Sequence, residues 1–154
     1  MKLIRTISLF LLTLALLNPS SAFAGETSMT EKLNEMVGRK LYVDPADIPG
    51  KIHTWKDVKK WYPARGKDPL RMSYPESLKG TGISEMVTVR LIITPEGNAI
   101  NPKIEDLQNK ELAIPAILHV AGLRFQVPKI NGEPVYLSQK IKLKCSEDPD
   151  FGKK

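Results

Sequence analysis

Cysteine, histidine and aromatic residues are scarce in this chain. It has one cysteine, Cys145, two histidines, His53 and His119, and 6% aromatics in 154 residues. A single cysteine rules out an intrachain disulfide and leaves either an incidental residue or a bridge to another chain. Neither histidine has a cysteine nearby or falls in a His-x-x-x-His or Glu-x-x-His spacing, so no metal site is expected. Ser84, Ser138 and Cys145 stand outside any nucleophile motif, and no glycine-rich phosphate loop exists. A non-enzymatic protein without a cofactor is the expectation. Basic residues are scattered and not interleaved with aromatics, so nucleic acid is not an expected partner. Long apolar runs are lacking too. The strongest, Ile7 to Leu17, falls short of the roughly 20 residues that cross a bilayer.

The N-terminal segment 1–24 instead reads as a cleavable secretory signal peptide. Lys2 and Arg5 precede the apolar run, and Asn18, Pro19, Ser20 and Ser21 break it. Ala22-Phe23-Ala24 then places small residues at both positions a signal peptidase pocket must accept, with Gly25 first after the cut. The expectation is export, with an uncleaved membrane anchor as the alternative. Removing this segment takes away two positive charges and no acid from a net charge of +6. The mild remaining excess bespeaks solubility and little more.

Composition divides the remainder into a loop-rich extension (25–72), a regular domain (73–144) and a tail of mixed charge (145–154). In the extension, Ser28 and Glu31 have capping-box spacing for a helix to about Val37, with Gly38 as its stop. Thr54 and Asp57 repeat that spacing ahead of a second short helix, which would align Trp55, Val58 and Trp61 or Tyr62 on one face, packed against the domain or, as the alternative, exposed as a docking patch. A turn-rich connection, Asp44-Pro45 to Pro49-Gly50, lies between.

The domain opens with Ser73 as N-cap of a short helix, Pro75–Lys79. Val87, Val89, Leu91 and Ile93 alternate with Thr88, Arg90 and Ile92, a strand with one buried face. The turn Thr94–Asn98 leads to a second strand, Ala99-Ile100 and Lys103–Leu107, where Pro102 implies a bulge or an edge. Residues 111–122 form the main helix, with Pro115 in its first turn and Gly122 at its end. Asn131-Gly132 is a hairpin turn signal, and the last strand covers Val135–Leu143. The fold class is α+β: a small antiparallel sheet of about three strands with helices on one face, plus the extension.

In this order, Tyr74-Pro75, the alternating strand, a Pro-Glu-Gly turn, an alanine-bearing helix, Arg124-Phe125 and Asn131-Gly132 form a pattern. It resembles the C-terminal domain of TonB energy transducers over residues 73–144. The resemblance implies a partner in the cell envelope, such as a TonB-dependent outer-membrane receptor, whose short N-terminal box pairs with the final strand. On this sequence that strand is Val135, Tyr136, Leu137, Ser138, Gln139, Lys140, Ile141, Lys142 and Leu143. An exposed strand can accept such a peptide through its unpaired backbone groups. Lys140, Lys142 and Lys144 read either as residues that keep a sheet edge from aggregating or as a rim for an acidic partner. A transducer resembling TonB also needs a histidine-bearing membrane helix and a proline-rich spacer, and neither is seen here. Together with the signal peptide, the implied location is the periplasm, with the inner membrane as the alternative for an anchored chain, and the implied role is binding during transport across the outer membrane. An anchored transducer and a self-associating protein, dimerising through the same strand or Cys145, remain the alternatives.

Overall fold

The computed structural model describes the backbone of residues 20–58 and 70–152, and side chains from Met29 onward. The expected alternation builds β3 (Glu85–Ile93), in which Val87, Val89, Leu91 and Ile93 are fully buried. It turns at Thr94–Asn98 into β4 (Ala99–Asp106). The last long strand, β7 (Tyr136–Cys145), lies on the other side of β3. Leu137, Ile141, Leu143 and Cys145 of β7 point into the same core as the odd-numbered residues of β3. These three antiparallel strands are the sheet that the alternating pattern implied.

Two short strands enlarge it. β1 (Ile52–Thr54) and β2 (Leu70–Arg71) both pair with β7 in parallel, giving a mixed five-stranded sheet ordered β1-β7-β3-β4 with β2 also on β7. Runs this short carry no readable periodicity, so the sequence does not reveal that the extension supplies strands to the sheet. A small hairpin, β5 (Lys129–Ile130) and β6 (Glu133–Pro134), forms around Asn131-Gly132. Both turn residues take positive φ, as a tight hairpin turn of this kind requires.

Pro102 lies where the register of β4 against β3 slips: Arg90 faces Lys103 but Ile92 faces Ile100. Asn101, at φ 50°, is the extra residue of this bulge. Its side chain accepts from the Val43 amide (2.7 Å) and donates to the Val43 carbonyl (2.8 Å), while its own amide donates to the Leu41 carbonyl. The bulge thus straps the extension to the outer side of β4.

Helix α2 (Ala113–Gly122) packs on β3 and β4 through Ala116 and Val120. Pro115 sits in its first turn and Gly122 ends it, as the sequence implied. Helix α1 (Ser20–Val37) rests on the outer side of α2, with Leu33, Leu41 and Ala121 forming a second small core. Gly38, at φ 70°, follows its last turn. Its start differs from the capping-box expectation: Ser28 lies inside the helix, which begins at Ser20. A capping-box spacing marks only where a helix is able to begin, and helix-permissive residues upstream allow it to extend. The bond between Ala24 and Gly25 falls within α1, and residues 1–19 of the expected signal peptide lie outside the described residues.

Other local expectations shift for similar reasons. The short helix after Ser73 is a single 3-10 turn, Glu76–Leu78, capped by Pro75 without a side-chain bond. The Asp57 carboxylate does bond the Thr54 amide (2.8 Å) and hydroxyl (2.9 Å), which holds its pKa below the usual carboxylate range, but the contact closes a turn. Val58 is buried in the core while Trp55 is 64% exposed, so the expected aromatic face does not pack as one surface. Trp61 and Tyr62 lie outside the described residues.

The β3–β4 turn is fixed by backbone approach. The Phe125 amide donates to the Gly97 carbonyl (2.9 Å), and a Cβ on Gly97 would meet the Phe125 carbonyl oxygen at 2.5 Å, at φ +78°. Both strain and collision act there, each costing on the order of 1–3 kcal/mol. Gly97→Ala is expected to lower unfolding free energy by at least about 2 kcal/mol, read from urea midpoints. An unchanged midpoint would show that the turn relaxes freely.

Candidate functional site: the outer edge of the final strand

β7 is bonded to β3 from Leu137 to its end, Glu85↔Cys145 to Ile93↔Leu137, without a register shift. In such a ladder the N–H and C=O of alternate residues face opposite neighbours. The Met72 amide donates to the Lys144 carbonyl (3.1 Å), so the backbone of Lys144 faces away from β3. The backbone groups of Lys142, Lys140, Ser138 and Tyr136 therefore face the same outer side. This is the edge on which β1 and β2 lie.

The edge is not open from end to end, which corrects the expectation of a free final strand. β1 pairs opposite Tyr136, Leu137 and Ser138, and β2 opposite Leu143 and Lys144. Between them, over residues 139–142, no described strand pairs with the outer side. The physical reason is the edge itself: its unsatisfied backbone groups attract whichever segment of the chain reaches them first. Val135 lies just ahead of β7, its amide donating to the Pro128 carbonyl (3.0 Å).

The side chains of the edge divide by parity. Leu137, Ile141 and Leu143 are core residues and unavailable to a partner. Lys140 and Lys142 are exposed on the open face. Lys140 Nζ reaches Glu105 Oε2 (2.7 Å), and Arg90 bonds the other oxygen of the same carboxylate, a bridge across three adjacent strands. Those two hydrogen bonds hold the Glu105 carboxyl below its ordinary pKa. Lys144 lies 5.8 Å from the centre of the Phe151 ring. Where β1 leaves β7, a cleft of about 530 Å³ opens, lined by Trp55, Lys56, Arg90, Ser138, Gln139 and Lys140 together with Thr54. Trp55 belongs to the aromatic face whose alternative reading is a docking patch, whereas Arg90 and Glu105 carry no site signal in the sequence because they meet only through cross-strand register.

The motif residues serve the fold. Tyr74 Oη donates to the Ile83 carbonyl (3.0 Å), tying down the segment that leads into β3. Pro75 caps the adjoining turn, Phe125 is buried in the core, and Arg124 bonds the Asn98 side chain across the β3–β4 turn. Asn131 and Gly132 make the small hairpin. Glu85, the first residue of β3, is buried, and its carboxylate accepts the Gln108 and Asn109 amides that lead into α2.

Residues 71–144 match the model of the C-terminal domain of the Gram-negative bacterial TonB protein. That segment is a TonB C-terminal domain. Its limits run from within β2 to the penultimate residue of β7, so β1 lies outside the family's span and β2 at its margin. No curated protein matches the chain.

Among the described residues no group of three or more His, Cys, Asp or Glu could hold a metal ion, and no helix is long and apolar enough to cross a membrane. His119 is half-buried in α2, where desolvation lowers its pKa. Cys145 is the last residue of β7 rather than part of a free tail, and its side chain is fully buried. Burial, with the Glu85 charge nearby, raises the thiol pKa. The residues beyond it are docked too: Ser146 Oγ lies 2.6 Å from Ser84 Oγ, and Glu147 accepts the Gly80 amide. Access and thiolate fraction are both reduced. Cys145 in the native protein is expected to resist a thiol reagent at pH 8, reacting only as denaturant unfolds the domain. Rapid stoichiometric labelling of the native protein would restore the bridge to another chain.

Proposed function

We propose that this is a non-enzymatic, exported protein of the TonB type that binds an envelope partner by strand addition. The partner class is a TonB-dependent outer-membrane receptor, and the setting is transport across the outer membrane. The observation that carries the reading is the outer side of β7. The resemblance to the TonB family implies that this strand faces the receptor, and it already receives short extended segments along its outer side at both ends. Backbone pairing supplies affinity in such additions, and side chains at alternate positions supply selectivity. Here the alternate positions on the open face are Ser138, Lys140, Lys142 and Lys144, which favour a segment with acidic residues every second position.

Synthetic TonB-box peptides are expected to bind the purified protein saturably, followed by titration calorimetry. Lys142→Pro removes one outward amide while leaving the β3 ladder intact, and is expected to weaken binding by roughly 2- to 10-fold, equivalent to about 0.4–1.4 kcal/mol. Lys142→Ala, which keeps the amide, separates that loss from the loss of charge. Absence of binding by every peptide tested would overturn the reading.

Passive binding, as opposed to energy coupling, rests on removal of residues 1–24. The N-terminus of the protein isolated from the soluble periplasm is expected to be Gly25. Recovery of an intact Met1 in the membrane fraction would make the protein an anchored transducer instead.

A further inference from the structure

The edge that strand addition requires is the edge this chain fills with its own segments. β1 contributes three residues and β2 two, both parallel to β7. Isolated pairings of this length are marginal, and what holds them is the packing around them. The two differ in that respect. β2 runs straight into Met72, which is 2% exposed in the core, and Arg71 Nη2 donates to the Ser146 carbonyl (3.1 Å). β1 is lightly held. Ile52 and His53 are partly buried, Thr54 is exposed, and Trp55 beyond it stands 64% exposed at the cleft. Ile48 and Val58, both buried, pin the chain on either side, so β1 can leave β7 as a short loop without opening the core.

We infer that β1 is an intramolecular placeholder on the partner-binding edge, displaced when an extended partner segment pairs with Tyr136–Ser138. The inference rests on the strand-addition reading above. An outward N–H or C=O of β7 that bonds β1 is not free to bond a partner strand in the same plane. Bound and resting states therefore compete for one set of groups. When the competent state is a minor one, at 0.1–10% of molecules, apparent affinity falls by about 10- to 1000-fold relative to the released edge.

Locking and releasing β1 test this. Thr54 and Ser138 are direct register partners on the exposed face, so the double variant Thr54→Cys, Ser138→Cys places two thiols at a bridgeable spacing. With that disulfide formed, a synthetic TonB-box peptide is expected to bind at least about tenfold more weakly than to the same protein after reductant. His53 is the β1 residue whose amide, by alternation, faces β7. His53→Pro is expected to release the strand and tighten binding by about tenfold or more. Hydrogen exchange on the unmodified protein gives an independent measure: the His53 amide is expected to exchange far faster than the amides of β3.

Equal binding by oxidised and reduced forms, or exchange at His53 as slow as in β3, would overturn the placeholder and leave peptide binding standing. Failure of every form to bind, the His53→Pro variant included, would overturn the functional reading and the placeholder with it.

Discussion

The unbroken antiparallel ladder between β3 and β7 is the constraint on which the other features depend. Because its register never shifts, every odd-numbered residue of both strands points to one side, and Val87, Val89, Leu91, Leu137, Ile141 and Leu143 make a single dry layer under α2. The same parity turns the backbone groups of Tyr136, Ser138, Lys140, Lys142 and Lys144 outward. A slip of one residue would bury lysines and face the outer edge with the other set of amides. Core and binding edge are two consequences of one register.

On its other side β3 pairs with β4, and there the register is broken twice. The bulge at Asn101 bends that strand and gives the extension a fixed anchorage at Leu41 and Val43. The two edges of the sheet are thus treated differently. At β4, side-chain bonds from Asn101 hold the crossing segment. At β7, short parallel strands satisfy backbone groups that would otherwise be solvated or paired with another chain. The bridge from Lys140 through Glu105 to Arg90 runs across the open face and links the two sides.

This arrangement gives the extension a role connected to the domain. A TonB C-terminal domain begins here within β2, and the chain before it supplies β1, the strap at 41–43 and the helix α1 that covers α2. The buried Glu85 carboxylate is a local example of the same economy of contacts: it closes two otherwise unpaired amides at the entry to α2 and so fixes where the helix begins.

Sequence alone determined the long elements. Alternation over 87–93 and 135–143, the helical spacing of Leu112, Ala116 and Val120, and the punctuation by Pro102, Pro115, Gly122 and Asn131-Gly132 each act within a few residues, so their pattern is written locally. The family was legible for the same reason, since its motif residues are those that make turns and pack the core. The occupant of the final strand's outer edge was not legible. Ile52–Thr54 and Leu70–Arg71 are too short to show a period, and their pairing with β7 spans most of the domain's length in sequence. Only tertiary structure decided that the last strand is interior over part of its length, because an edge is defined by what the rest of the chain does with it.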